Sequence, residues 1–377
     1  MKFYALTAKG LSSILEQEIQ ALGVEKVQIY QGGVLFEADW DACYRANLHL
    51  RSSSRVLWVL KSFKATSGDE IYDEVRKIDF TPLIEPDGSI YVEASVQDSK
   101  LKDQRWVALR TKDALVDQFR EKYDQRPTVV DERADLKLWV RVYEDQCILA
   151  IDTSGASLYR RGYRREQVPA PVKEHVAAGL LQIAGWKGQC DLVDLMCGSG
   201  TFLVEGAMIA LNTAPGLMRK NFGFQSWKSF DDALWNKVVE DAMSNEKTEL
   251  SIKLYGFDIN RAAVKAAKSN VKTAGFDEYI QITRSGVDQA KVEVEKPGIV
   301  VVNPPYGERL EHDDEDLLKD AYRDLSFGLR TNFKGWTAWV LSPRKDLTSL
   351  MELKPSYKHQ VWNGRLACEW TKYEIFS

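Results

Sequence analysis

The chain has 377 residues, room for two or three domains at roughly 150 residues each. Its 51 Lys and Arg against 55 Asp and Glu leave a formal charge of −4, and 44% of residues are hydrophobic. That balance excludes a disordered or fibrous chain and a globally basic nucleic-acid binder, so a nucleic-acid partner has to meet a local patch. No apolar run approaches the roughly 18 residues that span a bilayer. The opening MKFYALTAKG has no apolar stretch before a small-residue cleavage site, so a cytoplasmic location without a membrane partner is expected. Five cysteines (Cys43, Cys147, Cys190, Cys197, Cys368) lie far apart with no C-x-x-C, and His49, His175, His312 and His359 are equally scattered. Neither a disulfide scaffold nor a metal site is expected.

Residues 1–62 predict a small α/β module. Phe3–Leu6 is a short strand, and Leu11, Ile14, Leu15, Ile19 and Leu22 form a helical apolar stripe stopped by Gly23. Val27–Tyr30 and Val34–Phe36 flank the turn Gly32-Gly33 as a hairpin, and a second helix runs from about Trp40 to Leu50. Residues 63–154 read as a second mixed module, with helices at Glu70–Ile78 and Trp106–Tyr123 and strands at Ile90–Val96, Leu136–Tyr143 and Cys147–Thr153. A linker is expected over 155–170, where four arginines, Pro169 and the adjoining Pro171 break the pattern. From Pro171 to Ser377 strands and helices alternate: helix Val172–Ala184, strand Asp191–Leu195, helix Phe202–Asn212, an insertion at about 213–250 with Trp227 and Trp235, and strand Ile252–Phe257. Helix Arg261–Ala274, strands Ile280–Thr283 and Ile299–Val302, helix Glu315–Arg330 and strand Thr337–Leu341 follow. That order predicts a mostly parallel sheet covered on both faces. Asn363-Gly364 between two strand-like runs predicts a terminal antiparallel hairpin.

Three motifs carry chemistry. Asp194 ends an apolar strand and is followed by Cys197-Gly198-Ser199-Gly200-Thr201 at a helix start, where small residues let a ligand approach the backbone. There is no Lys for a Walker A loop and no third Gly for the dinucleotide fingerprint; a nucleoside bearing an amino acid fits better, and a plain tight turn is the alternative. Asp258 ends the next strand, placed to accept a ribose diol or simply to cap the helix after it. Asp288 follows a third strand, facing an adenine edge or solvent. The sharpest motif is Asn303-Pro304-Pro305-Tyr306 directly after a buried strand. The prolines stiffen the corner, Asn303 and the Pro304 carbonyl can accept from a planar amine, and Tyr306 offers a flat face.

This trio, in this order, resembles the class I methyltransferases that use S-adenosylmethionine, and the Asn-Pro-Pro-Tyr form resembles their amino-methylating branch. Residues 1–62 and 63–154 are similar to the ferredoxin-like and THUMP modules of RNA-modifying enzymes. Tyr159-Arg160-Arg161-Gly162-Tyr163-Arg164 followed by Ala170–Glu174 is similar to their junction, and Ala214–Leu217 and Asn303–Leu310 also fit. Essentially end to end, the chain resembles the bacterial RlmL type of guanine-N2 methyltransferase of large-subunit ribosomal RNA. The longer bacterial form carries a second methyltransferase half with no counterpart in this sequence.

The resemblance implies an α/β architecture in which a Rossmann-like methyltransferase sheet follows two α+β modules. It implies S-adenosylmethionine as cofactor, held by Asp194, Cys197, Gly198, Ser199, Gly200, Thr201, Asp258, Ile259, Asp288 and Asn303, with Pro171 and Glu174 closing over the methionine end. Asn303, Pro304, Pro305 and Tyr306 would form the catalytic loop, and RNA would be the partner, 23S ribosomal RNA before transfer RNA. On the residues themselves, Arg45, Arg51, Arg55, Lys61 and Lys64 with Trp58 and no acid form one basic patch. Arg160, Arg161, Arg164 and Arg165 form a second; phosphate contacts are expected from both, against the alternatives of a solvated face and an interdomain bridge. The acidic run Glu311–Asp316 reads as a helix start. A DNA-adenine or protein-glutamine methyltransferase would leave the first 155 residues without a purpose, and a non-enzymatic RNA-binding factor would not need all three motifs intact. A monomer or weak dimer is expected.

Overall fold

The computed structural model describes residues 1–30, 32–130, 133–166, 171–307 and 315–376. They divide into two compact units, the first comprising Met1–Leu6, Glu16–Leu158 and Arg219–Glu240, the second Thr7–Leu15, Tyr159–Met218 and Asp241–Ser377.

In chain order the elements up to position 152 are β1 (Lys2–Thr7), α1 (Ser12–Ala21), β2 (Val27–Tyr30), β3 (Gly33–Glu37), α2 (Trp40–His49), β4 (Ser53–Lys64), α3 (Gly68–Arg76), β5 (Ser89–Gln97), α4 (Gln104–Tyr123), β6 (Thr128–Val129), β7 (Leu136–Tyr143) and β8 (Gln146–Asp152). Their strands form one eight-stranded sheet in the order β2-β3-β1-β4-β8-β7-β5-β6. Residues 53–64 of the basic stretch 45–64, read from sequence as a patch, are the strand β4, which pairs with β8 from Leu57 opposite Asp152 to Lys64 opposite Gln146. The expected module boundary at 62 therefore falls inside a strand, and the sheet is continuous across it.

Segment Arg219–Glu240 of the insertion belongs to this first unit. Its aromatic side chains explain why: Phe224 lies 4.5 Å from Tyr44 and Trp227 5.9 Å from Trp40, which in turn meets Trp58 at 5.1 Å. Such edge and tilted contacts bury large apolar area with favourable quadrupole geometry. Arg219 donates to the carbonyls of Ser154, Ala156 and Ser157.

The second unit holds α5 (Glu174–Ile183), β9 (Leu192–Asp194), α6 (Thr201–Ala210), β10 (Leu254–Asp258), α8 (Arg261–Ala274), β11 (Ile280–Arg284), β12 (Ile299–Val302), α9 (Glu315–Asn332), β13 (Thr337–Ser342), α10 (Lys345–Ser349), β14 (Pro355–Asn363) and β15 (Leu366–Glu374), while α7 (Asp232–Ser244) begins in the first unit and ends in this one. The strand order is β11-β10-β9-β12-β13-β15-β14. β11 through β13 run parallel, and β14 and β15 close the sheet as the antiparallel hairpin.

Strand period 2 sends alternate side chains to opposite faces. Ile299 and Val301 of β12 enter one core with Trp370 and Phe202, and Val300 and Val302 enter the other with Tyr322 and Leu325. Both faces are covered, as a parallel sheet requires. Edge strand β14 is covered too. Trp362 donates its backbone N–H to the Lys9 carbonyl at 3.0 Å, the Lys9 ammonium lies over the Trp362 ring, and His359 Nε2 sits 2.7 Å from the Gly10 carbonyl oxygen. Gly10 has φ +97°, and a Cβ there would stand 2.2 Å from the Gln360 carbonyl oxygen, so only glycine permits the approach. Leu11 then plugs the surface of α5 at Gly179.

Among the described residues no helix is long and apolar enough to cross a membrane, and no group of three or more His, Cys, Asp or Glu could hold a metal ion. Residues 167–170 of the expected linker, and 308–314 with Arg309, His312 and most of the acidic run, lie outside the described residues; α9 begins at Glu315.

Trp370 is fully buried, stacks on Phe202 at 5.7 Å and Trp339 at 5.5 Å, and donates its indole N–H to Leu180. Trp370→Ala is expected to cost about 3–5 kcal/mol in urea unfolding of this unit. Trp370→Phe, which loses the N–H but keeps a ring, is expected to cost clearly less.

Candidate active site

The chain leaves the interior strand β9, builds β10 and β11 to one side, and only then places β12 on the other. Asp194 of β9 is consequently flanked by Gly256 of β10 and Val301 of β12. This is the topological switch point of an open α/β sheet, where loops diverge and a crevice opens at the carboxyl ends of the strands. A cavity of about 660 Å³ lies there.

Its floor is the turn after β9. The Gly200 N–H donates to the Cys197 carbonyl at 2.7 Å, the Cys197 N–H to Phe257, and the Gly198 N–H to Asp258 Oδ2 at 2.9 Å. Gly198 and Gly200 adopt positive φ of +53° and +82°, which the tight turn demands. Cys197, Gly198, Ser199 and Thr201 line the cavity; Gly200 shapes the turn without lining it. From the strand ends come Asp194, Asp258, Ile259 and, after β11, Asp288. A Cβ at Gly286 would lie 2.6 Å from Asp288 Oδ1, so glycine leaves room for that carboxylate to fold over the turn. Asn303, Pro304, Pro305 and Tyr306 line the cavity after β12, and Pro171 lines it as well. Glu174 does not line the cavity; it is buried beside it, 3.0 Å from Arg164 Nε. Glu166 and Asp324, which sequence reading missed, are also lining residues.

Five carboxylates, Glu166, Asp194, Asp258, Asp288 and Asp324, face this space, with no Lys or Arg among its described lining residues. Asp194 is only 2% exposed, and among the described residues its carboxyl accepts one hydrogen bond, from Met196 N–H at 3.3 Å. A buried carboxylate so poorly compensated calls for a cationic ligand. Asp258 accepts one backbone N–H on each oxygen, from Gly198 and Asn260, which fixes its plane. Burial, followed by the nearby Asp194, pushes the Cys197 thiol well above its ordinary pKa, so it stays protonated and serves as a small packing residue. Asn303 Oδ1 is buried and has no hydrogen-bond partner among the described residues.

The cations of the two expected phosphate-contact patches have these surroundings. Arg161 is 1% exposed and faces the fully buried Glu205 at 3.4 Å, with the Tyr163 hydroxyl donating to the same carboxylate at 3.2 Å. Arg164 bridges Glu174, Thr201 and the Val172 carbonyl. Arg55 is held by Asp152 and the Gly155 carbonyl, and Lys61 meets Glu74 at 2.6 Å. Arg45 pairs with Asp41 four residues earlier at 2.6 Å, and Trp58 belongs to the aromatic cluster. The acids that neutralise these cations come from outside the two basic stretches, which is why neither stretch showed them. Arg51 is half-buried; Lys64, Arg160 and Arg165 are exposed.

Residues 161–372 match the RMKL-like methyltransferase domain, residues 2–57 the RlmL ferredoxin-like domain and residues 65–152 the THUMP domain. The chain is 37% identical to the ribosomal RNA large subunit methyltransferase K/L of Syntrophotalea carbinolica, over 100% of this chain and 54% of that protein. It is 36% identical to the putative RNA methyltransferase slr0064 of Synechocystis, over 99% of this chain and 97% of that one. It spans about half the length of the K/L relatives it matches. The crystal structure of SMU.472, a putative methyltransferase complexed with SAH, superposes with a TM-score of 0.90 at 28% identity, covering 100% of this chain and 98% of that one. Sheet order and cavity define an α/β methyltransferase of the kind that depends on S-adenosylmethionine. The chain belongs to the RMKL-like methyltransferase family, with ferredoxin-like and THUMP modules ahead of the catalytic domain.

Burial, and less strongly the neighbouring Asp258, hold the Asp194 carboxyl well above the usual carboxylate range, against the Met196 N–H. The folded protein binds this proton more tightly than the unfolded chain does. The group's contribution to stability is therefore fully present below the unfolded pKa of about 3.9 and declines as pH rises towards the raised folded value. Asp194→Asn is expected to raise the melting temperature of the ligand-free protein at pH 8, with the gain fading towards pH 4, while abolishing measurable binding of S-adenosylmethionine. A variant that melts lower than wild type at pH 8 contradicts this account.

Proposed function

We propose that the protein methylates the exocyclic N2 of a guanine in RNA, with 23S ribosomal RNA as the substrate. The observation that carries this reading is the buried Oδ1 of Asn303 in the cavity wall, without a hydrogen-bond partner among the described residues and followed by two prolines and the ring of Tyr306. An acceptor withdrawn from water without a partner costs stability unless a donor arrives, and an aromatic amine is such a donor. The THUMP match and the names of the K/L and slr0064 relatives support RNA as the source of that amine.

The residues fit the donor. Asp194 answers a positive charge, the Gly198–Gly200 turn lets the ligand approach the backbone, and Asp258 and Asp288 offer acceptors for a ribose diol and an adenine amine. When bound, S-adenosylmethionine supplies a sulfonium methyl with an excellent leaving group. The protein's own task is then orientation. Asn303 Oδ1 and the Pro304 carbonyl accept the two amine hydrogens and aim the lone pair, while Tyr306 stacks on the base. Extruding a base costs a few kcal/mol, and stacking returns about 1–3 kcal/mol of it. No covalent nucleophile is needed, and Tyr306 occupies the position after the prolines where a cysteine would serve pyrimidine chemistry.

Asn303→Ala is expected to reduce kcat about 100-fold, the scale of a lost orienting contact, while the Kd for S-adenosylmethionine moves less than about threefold. Equal losses in both would remove Asn303 from the reacting centre. Nucleoside mass spectrometry of separated RNA pools and DNA from cells with and without the protein is expected to show N2-methylguanosine lost from 23S ribosomal RNA. Loss from transfer RNA instead would reassign the substrate, and loss of N6-methyladenine from DNA would overturn the reading.

A further inference from the structure

Asn270 stands in the interior of α8, fully buried, and does not itself line the cavity. Asparagine is a poor helix-interior residue, yet this one makes every hydrogen bond its amide can. Oδ1 accepts from the backbone N–H groups of Arg165 (2.8 Å) and Glu166 (3.2 Å), and Nδ2 donates to the carbonyls of Glu166 (3.1 Å) and Ser199 (3.0 Å). Glu166 and Ser199 both line the cavity, and they come from two separate pieces of chain, one in the segment before α5 and one in the turn after β9. A single amide therefore fixes the separation of those two pieces.

Arg164 makes a second clasp between the same two segments. Its guanidinium donates to Thr201 Oγ1 at 2.8 Å and to the Val172 carbonyl at 3.0 Å, and it pairs with Glu174 at 3.0 Å. Thr201 and Val172 line the cavity as well. All four bonds of Asn270 end on the backbone of those wall segments and none on α8 itself, so their loss falls on wall spacing before it falls on the helix.

We propose that Asn270, together with Arg164, is a positioning residue for the methyl donor: the two side chains hold residues 164–166 and 172–174 and the 197–201 turn at the separation that sets donor affinity, without touching the donor. This rests on the cofactor reading above.

The test uses the full chain and S-adenosylmethionine itself. Asn270→Asp matches the side chain in shape and keeps both accepted bonds while losing both donated ones. Its Kd, measured by calorimetry, is expected to rise at least tenfold, with KM for S-adenosylmethionine rising in step and kcat at saturating donor staying within twofold. Val264→Ala, a core truncation in the same helix, is expected to lower the melting temperature while leaving Kd within twofold. Unchanged affinity in Asn270→Asp, or an equal affinity loss in Val264→Ala at the same drop in melting temperature, overturns the positioning role. If Asn270→Asp does not accumulate as folded protein, Arg164→Gln is measured in the same way, a tenfold weaker Kd supporting the proposal and an unchanged one overturning it. Wild-type protein that binds donor while the variants match it sinks the positioning role alone. Wild-type protein that binds none sinks the proposed function and the positioning role with it.

Discussion

The parallel pairing of β9 with β10 on one side and β12 on the other is the constraint from which the rest follows. Hydrogen bonding on both flanks makes β9 an interior strand, and covering both faces forces its side chains into two dry cores. The same pairing delivers Asp194, Asp258 and Asn303 to a single edge although they are far apart in sequence. The cavity is a consequence of this register. A one-residue slip of β12 would turn Val300 and Val302 towards the wrong core and carry Asn303 away from the edge.

Placing a carboxylate at the end of so buried a strand creates an electrostatic conflict that the chain leaves unresolved in the cavity and resolves elsewhere. Around the cavity the acids keep their charge demand open. A short distance along the chain, Arg161 and Arg164 are drawn inside to Glu205 and Glu174, where unpaired carboxylates would serve no ligand. Breaking either pair would strand a buried charge, which is far costlier than losing an exposed pair. Among the described residues the division keeps positive side chains out of the cavity lining and leaves room there for a cationic ligand.

Much of this was legible beforehand because it depended on local pattern. Apolar runs ending in an acid, the alternation of strand and helix from Pro171 onward and the Asn363-Gly364 turn each signal their structure within a few residues. What escaped was long-range. β4 was hidden because Arg55, Lys61 and Lys64 interrupt its apolar alternation, and their partners Asp152 and Glu74 lie outside the stretch. Glu205 did offer a clue: an acid inside the apolar helix TFLVEGAMIA must be paired once buried, but nothing nearby names Arg161 as the partner. Asn270 is likewise an odd residue for a helix interior, but the sequence does not show which backbone it reaches. Asp324 became visible only once the face that α9 turns to the cavity was known.

The clamp of Lys9, Gly10 and Leu11 on β14 and α5 bears on how the molecule can be dissected. These residues lie within the first N-terminal module in sequence, directly after β1, yet they count structurally with the methyltransferase sheet. A truncation that starts after the modules would sever them, uncovering the outer hydrogen-bonding edge of β14 and the face of Trp362. A bare strand edge is a template for self-association. Isolating the catalytic half by simple deletion would therefore yield an aggregation-prone fragment, and a faithful minimal enzyme would have to carry its own first turn of chain along with it.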